Sequence, residues 1–160
     1  MQSTQPTPIS ELIRDPTAEP LQVFLTDRLQ LGAVLQQMLV HTQAADIHIS
    51  TFSVGEEFLR KLIALRGKGH IKSATLYTDL RGAEKTARIR AMLYKAFDKV
   101  VMTQIHAKLI IAQGERCTAT LLTSQNTTRG NRVESYTLIH NDTISQNLLS
   151  CFNHIKGANL

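Results

Sequence analysis

Several residue types are scarce in this chain of 160 residues, and each shortage excludes a class of protein. There is no tryptophan, and three tyrosines with five phenylalanines are too few for a platform on which bases stack. Two cysteines, Cys117 and Cys151, are too few for a disulfide scaffold and lack the spacing of metal ligands. No apolar run approaches the roughly 18 residues that a membrane-spanning helix needs. A hydrophobic fraction of 42% still suffices for one core, which excludes a wholly disordered or collagen-like chain.

Proline is confined to the first 20 residues, which are polar and show no stable period. This stretch has neither the basic start nor the apolar run of a secretory signal. A typical domain contains about 100–150 residues. We therefore expect a flexible N-terminal segment over residues 1–20, a single domain over residues 21–160, and a cytoplasmic protein with no membrane partner.

The charge balance favours a polyanionic partner, nucleic acid first. Eighteen Lys and Arg residues against 13 Asp and Glu residues give a formal net charge of +5. Arg81, Lys85 and Arg88 recur at helical spacing, which would suit contacts to backbone phosphates. An ordinary solvated helix face is the alternative interpretation of these three cations.

Hydrophobic periodicity predicts strands and helices in alternation, followed by strands in succession. The predicted strands are 21–26, 46–53, 71–80, 99–103, 105–112, 118–123 and 133–139. The predicted helices are 29–41, 55–65, 83–97 and 144–155. This order indicates an α/β fold with a mixed β-sheet flanked by helices on both faces.

Four polar residues occur in pairs near the ends of two predicted strands. His106 and Lys108 are two apart, so on a strand both side chains project from one face. A lysine buried among apolar neighbours is costly unless an anion compensates it. Ser124 and Asn126 have the same spacing at the end of the following strand. Together the four groups suit a phosphate diester, whose oxygens can be neutralised by Lys108 and bound by Ser124 and Asn126.

The histidine of this set can act as a nucleophile or as a proton donor near neutral pH. A nucleophilic imidazole needs its second nitrogen held by a carboxylate, and Glu134 on the next strand is the candidate. The scheme requires no metal ion and no other cofactor, because cationic side chains stabilise the charge. The alternative interpretation is an internal polar cluster in which His106 and Lys108 pair with Glu134 without any chemistry.

These residues resemble the signature of the phospholipase D superfamily, which is His-x-Lys, four residues, Asp, then Gly/Ser-Ser-x-Asn and a later acidic residue. His106 and Lys108 match the first pair, residues 123–126 match the second element, and Glu134 matches the acidic residue. Two positions depart from the pattern. Gln113 replaces the Asp, which in the family lies away from the reacting atoms, so we expect a local structural substitution. Thr123 replaces the small residue and fits a strand end.

The resemblance implies a phospholipase D-like α/β sandwich similar to the small bacterial nucleases with a single motif, which form homodimers so that two motifs meet at one site. It implies a metal-independent phosphodiesterase, a non-specific endonuclease on DNA or RNA. In the implied mechanism His106 of one subunit attacks phosphorus to give a phosphohistidine, and His106 of the other subunit protonates the leaving oxygen. Lys108, Asn126 and Glu134 complete the expected catalytic set.

Further residues are expected to bind substrate. Ser124 and Thr123 belong to the motif, Arg129 and Arg132 lie in the loop before Glu134, and Ser53 would line the pocket from an early strand. A catalytically degenerate nucleic-acid-binding module is the alternative function, which the Gln113 substitution favours. A lipid phosphodiesterase is disfavoured, because the short chain offers no lipid-docking surface.

Overall fold

A computed structural model of the chain describes residues 7–79, 87–128 and 130–159. Its five described helices are α1 (Ile9–Leu12), α2 (Leu31–Thr42), α3 (Glu56–Gly67), α4 (Ala87–Ala96) and α5 (Asp142–Asn153). The strands are β1 (Leu21–Thr26), β2 (Ala45–Thr51), β3 (Ile71–Asp79), β4 (Lys99–Thr103), β5 (Leu109–Gly114), β6 (Thr118–Thr123), β7 (Glu134–Ile139) and β8 (Ala158–Asn159). Over these residues, no helix has both the length and the apolar character needed to cross a membrane.

The eight strands form one mixed sheet in the order β1-β7-β6-β5-β2-β3-β4-β8. β2, β3 and β4 run parallel, whereas β5, β6, β7 and β1 alternate in direction. The start of β5 therefore lies beside the end of β2, and the start of β7 lies beside the end of β6. We call this end of the sheet the active end, because the candidate residues lie there.

Helices pack on both faces of the sheet, which confirms the predicted α/β class. Ile47 and Ile49 of β2 point into the main core with buried residues of α2, α3 and α4. Ile111 on the opposite face belongs to a smaller cluster, which α5 covers. In that cluster the rings of Tyr77 and Phe152 stack with centroids 4.3 Å apart.

The N-terminal segment is attached to the domain over its described part. Ile13 is fully buried, and the backbone N–H of Arg14 donates to the Gln22 side chain at 2.9 Å. Asp15 pairs with Arg116 at 2.7 Å, and this guanidinium holds the pKa of the carboxyl well below its usual range. Residues 7–20 thus differ from the expected flexible segment, because Ile9 and Ile13 form a small apolar anchor at helical spacing. Residues 1–6 lie outside the described part.

Several boundaries of strands and helices differ from those that the hydrophobic periodicity predicts. β5 begins at Leu109 rather than at residue 105, and β2 ends at Thr51, two residues early. α5 begins at Asp142, because the Asn141 side chain accepts a hydrogen bond from the backbone N–H of Ile144 at 3.0 Å and caps the helix. The predicted start of the 83–97 helix lies outside the described residues.

Gly114 at the end of β5 leads to a stability prediction. A Cβ added there would lie 2.0 Å from the carbonyl oxygen of Thr42, at the end of α2. We predict that Gly114→Ala lowers the free energy of unfolding by about 3 kcal/mol, because backbone must move apart. A Cβ at Gly67 would meet nothing within 4 Å, so Gly67→Ala should change the free energy of unfolding by less than about 1 kcal/mol. Urea unfolding of both variants measures the difference, and equal stabilities would contradict this packing.

Candidate active site

The candidate residues converge at the active end, although not on the predicted strand. His106 and Lys108 lie in the segment before β5, so the prediction that both sit on a buried strand is wrong. His106 is exposed and Lys108 is half-buried. The Ser50 hydroxyl, from β2, donates to the carbonyl of Ala107 at 2.6 Å and thereby fixes this segment to the sheet. A segment with polar side chains at the sheet end keeps both groups accessible, which a strand interior would not.

The side chains of His106 and Lys108 nevertheless lie together. Lys108 Nζ is 3.2 Å from His106 Nδ1 and donates to the His106 carbonyl at 2.8 Å. The His106 ring rests against Phe52, with ring centroids 5.4 Å apart. Since an ammonium group only donates hydrogen bonds, the neutral ring in this arrangement carries its proton on Nε2. Burial lowers the pKa of Lys108, and the nearby charge of Glu134 opposes that shift.

Glu134 contacts Ser124. The Ser124 hydroxyl donates a short hydrogen bond to the Glu134 carboxylate and accepts one from the backbone N–H of Ser135 at 3.0 Å. Strand pairing explains this contact, because the backbone N–H of Ser124 donates to the Ser135 carbonyl and so places Ser124 beside Glu134. Within the described ranges no hydrogen bond joins Glu134 to His106, so the geometry differs from the expected orienting role.

The amide of Asn126 is held in one orientation. Its Oδ1 accepts hydrogen bonds from the backbone N–H of Phe52 and from the Thr51 hydroxyl, both at 3.2 Å. The two donors on Nδ2 are therefore left to face a ligand, and no residue of the described ranges accepts from them. An amide fixed in this way is a ready donor for an anionic oxygen.

The hydroxyl of Thr51 connects this loop to β2. Thr51 is fully buried, and its hydroxyl accepts from the backbone N–H of Thr127 at 3.2 Å and lies 2.9 Å from the carbonyl of Ser53. The Thr127 hydroxyl donates to that same carbonyl at 2.9 Å. Ser53 is predicted to bind substrate through its hydroxyl. The contact that the structure shows is made by its backbone carbonyl, which accepts the hydrogen bond from Thr127 and so holds the loop.

Gln125 anchors the loop from the other side. Its Nε2 donates to the carbonyl of Leu29 at 3.2 Å, and its Oε1 accepts from the Tyr136 hydroxyl at 2.7 Å. Burial raises the pKa of Tyr136 to about 12. The Thr123 hydroxyl accepts from the backbone N–H of Gln125 at 3.1 Å, so Thr123 shapes the turn. The sequence pattern did not predict these hydrogen bonds of Gln125 and Thr123. The glutamine between Ser124 and Asn126 was the one feature of the sequence that could have indicated them.

Only some of the remaining predicted residues are described. Arg132 is exposed in the loop before β7, and Arg129 lies outside the described residues together with Arg81 and Lys85. Arg88 pairs with Glu56 at 2.8 Å. Gln113 lies five residues after Lys108 on β5, where it pairs with Asp46 of β2 and Thr118 of β6. It is therefore remote from His106, as expected for a substitution with a local structural effect.

His106 and Ser124 are exposed at the active end. A cavity of about 470 Å³ lies between α2 and α3 and meets the site loop at Thr127, beyond Asn126. Among residues 7–79, 87–128 and 130–159, no group of three or more His, Cys, Asp or Glu side chains is placed to hold a metal ion.

Comparison with known proteins places this geometry in a known fold. No family model and no curated protein matches the sequence. Among solved structures, Nuc of Salmonella typhimurium, a phospholipase D family member, is 18% identical with a TM-score of 0.65, over 88% of this chain and 97% of that one. The chain has the phospholipase D fold. NucT from Helicobacter pylori is 14% identical with a TM-score of 0.62, over 84% of this chain and 95% of that one.

The phospholipase D fold extends to larger proteins. Phosphatidylserine synthase from Haemophilus influenzae is 14% identical with a TM-score of 0.60, over 86% of this chain and 40% of that one. The resemblance drawn from the motif residues is thereby confirmed at the level of the fold. The roles of individual residues stay predictions, because identities this low establish the fold alone.

Thr51 gives a prediction for the candidate site. Thr51→Val removes the hydroxyl that binds Asn126 and leaves the buried N–H of Thr127 without its acceptor. We expect a loss of about 1–3 kcal/mol in the free energy of unfolding. Thr51→Ser keeps the hydroxyl, so its loss should be less than about 1 kcal/mol. Thermal or urea unfolding measures both, and equal losses would show that the hydroxyl does not hold the loop.

Proposed function

We propose that this protein is a phosphodiesterase that cleaves DNA or RNA as a homodimer, with little sequence preference. One observation carries the proposal: the Lys108 ammonium lies 3.2 Å from the ring of the exposed His106, at the end of the sheet where the Asn126 amide is already oriented. A histidine can act as the nucleophile in transfer at phosphorus, and a cation and a fixed amide donor can stabilise the charge on its oxygens. The phospholipase D fold, shared with Nuc and NucT, supports the nuclease assignment.

In the first step Nε2 of one His106 attacks phosphorus. The P–N bond forms, the ester P–O bond breaks, and the leaving oxygen takes a proton from His106 of the second subunit. Attack needs the lone pair on Nε2 and the ring proton on Nδ1. When a phosphate oxygen draws the Lys108 ammonium away from Nδ1, that nitrogen becomes free to hold the proton. Substrate binding thus prepares the nucleophile.

In the second step water completes the hydrolysis. The second His106, now unprotonated, accepts a proton from water as the water oxygen attacks phosphorus. The new P–O bond forms, the P–N bond breaks, and the first imidazole is released. Lys108 and Asn126 of both subunits neutralise and bind the non-bridging oxygens through both steps. These side chains supply the charge stabilisation, so the scheme needs no metal ion.

A polymeric substrate suits this site better than a small molecule. His106 and Ser124 are exposed, so a strand can reach them without its ends entering a cavity. The net charge of +5 favours a polyanion, and the exposed Arg132 lies on the loop that leads into β7.

A nucleic-acid-binding module without catalysis is the second candidate. The contact between Glu134 and Ser124 favours it, because this carboxylate then does not orient His106. Gln113 at the position of the motif Asp was the sequence feature that suggested the same function.

Nicking of supercoiled plasmid in excess EDTA distinguishes the two candidates. We expect the wild type to nick, and His106→Ala to lower the rate by at least about 1,000-fold while the protein stays folded. His154→Ala is the matched control, because His154 is also exposed but lies at the end of α5. An electrophoretic mobility shift without nicking would support the binding module and contradict the enzyme.

The pH dependence tests the pairing of two histidines. One His106 must be unprotonated to attack while the other must be protonated to donate, so the nicking rate should fall at both acid and alkaline pH. Rates measured at saturating plasmid across the range in which the protein stays folded give this profile. A rate that only rises with pH would contradict a protonated histidine as the acid.

A further inference from the structure

A cavity between α2 and α3 lies next to the candidate site, and the proposed mechanism does not use it. Its volume of about 470 Å³ falls within the range of about 300–1,000 Å³ that is typical of sites for small organic groups. Its walls are residues 30–33 at the start of α2, side chains of α3 between residues 57 and 64, and Thr127. We call this space the helix cavity.

The helix cavity adjoins the loop that carries Asn126. A Cβ added to Gly55, just before α3, would lie 2.9 Å from the Thr127 carbonyl oxygen, so this loop packs directly on the start of α3. The Gln30 side chain, just before α2, donates to the Gly130 carbonyl at 3.2 Å and ties the other wall to the same loop. Asn126 and Thr127 are consecutive, with Cα atoms about 3.8 Å apart. A group in the helix cavity is therefore a neighbour of a phosphate that binds the Asn126 amide.

The walls of the helix cavity suit a flat apolar group. Leu31 and Phe58 are each 4% exposed and belong to the main core, and Ala33 and Ala64 add small apolar side chains. Nucleobases bind aromatic and apolar side chains through their ring faces, which every base possesses. A single aromatic ring at a cavity can therefore hold one base, although the chain has too few aromatic residues for an extended stacking platform. Such a contact agrees with little sequence preference.

Lys61 places a positive charge at the same cavity. The residue is half-buried, and a Cβ added to Gly32 would lie 3.1 Å from its Cγ, so the stem of the lysine packs against the start of α2. Within the described ranges no carboxylate forms an ion pair with Lys61, whereas the neighbouring Arg60 pairs with Glu56 at 2.6 Å. A phosphate oxygen is a strong acceptor for such an ammonium. The helix cavity thus combines apolar walls with a positioned cation, which is the chemistry that a nucleotide requires.

We propose that the helix cavity binds one nucleotide of the substrate strand, with the base against Leu31 and Phe58 and the adjoining phosphate at Lys61. The proposal rests on the proposed function and adds to it a subsite beside the bond that is cleaved. The exposed Glu57 also lines the cavity, and its carboxylate can accept a hydrogen bond from the amino group of a base. A purely apolar ligand would leave the charge of Lys61 uncompensated, which favours the nucleotide.

Binding of two single-stranded oligonucleotides tests the subsite without cleavage. One strand carries normal bases, and the other has the same length but lacks every base, so that only the sugar-phosphate backbone remains. The protein used is His106→Ala, which should bind either strand without cutting it. We expect this protein to bind the normal strand about tenfold more tightly, because the helix cavity removes one base from water.

Filling the helix cavity should abolish this preference for the normal strand. Ala33→Leu, added to His106→Ala, places a larger side chain in the cavity, so the two strands should bind with equal and weaker affinity. Ala91→Leu is the same change at an exposed position of α4 and should keep the preference. Ala64→Leu, at an exposed position of the cavity wall, serves where Ala33→Leu fails to fold.

Lys61→Gln tests the charge separately from the apolar walls. It keeps most of the stem and removes the ammonium, so it should weaken the binding of both strands. The slope of log affinity against log salt should fall in magnitude by about one, as for the loss of one phosphate contact. Lys95→Gln, at an exposed position of α4, is the control and should leave the slope unchanged.

Equal binding of the two strands by the His106→Ala protein would overturn the subsite, and so would a preference that survives in a folded, filled variant. In both cases plasmid nicking by the wild type would leave the proposed function standing. A preference that filling removes, in a protein whose wild type does not nick, would support the subsite and contradict the phosphodiesterase. Failure to bind either strand would overturn the subsite, and the nicking assay would still decide the proposed function.

Discussion

The last two residues of β2 hold the two halves of the candidate site together. The Ser50 hydroxyl fixes the segment of His106 and Lys108 through the Ala107 carbonyl, and the Thr51 hydroxyl fixes Asn126 and the loop behind it. The sheet order makes this possible, because β5 pairs with β2 and begins where β2 ends. The hairpin of β5 and β6 brings His106 and Lys108 close to Ser124 and Asn126, because Leu109 pairs with Leu122 and the backbone N–H of Thr123 donates to the Lys108 carbonyl at 3.1 Å. The two hydroxyls of β2 then fix both segments, so the arrangement depends on the strand order as well as on the motif.

The electrostatics of the candidate site are the basis for proposing an anionic substrate. Lys108 is partly desolvated beside the His106 ring, which disfavours its charged form. A hydrogen bond from its ammonium to a phosphate oxygen would compensate for the lost hydration. The Asn126 amide is oriented before any ligand arrives, which removes part of the ordering cost of binding. Glu134 supplies negative charge nearby and is held by Ser124. The cation and the oriented amide favour an oxyanion close to His106, and the proposed transfer at phosphorus uses both of them.

Much of the fold and the choice of candidate residues could be predicted from the sequence, and the exceptions have physical causes. Period-two alternation identified β1, β4 and β6 with their observed bounds, because each is a short strand with clear ends. It placed the start of β5 four residues too early, since periodicity cannot distinguish a strand from the extended segment that leads into it. The motif selected His106, Lys108, Ser124 and Asn126 as candidates, and their roles stay predictions. Thr51, Gln125 and Tyr136 were missed, because buried hydrogen bonds between distant strands leave no local pattern.

The central claim is that the His106 imidazole bonds directly to phosphorus. The stereochemical course of cleavage tests it most directly, with a phosphorothioate diester of known configuration cleaved in isotopically labelled water. Two successive in-line displacements, one by His106 and one by water, predict overall retention of configuration at phosphorus. Inversion would show a single displacement by water and would contradict a phosphohistidine intermediate.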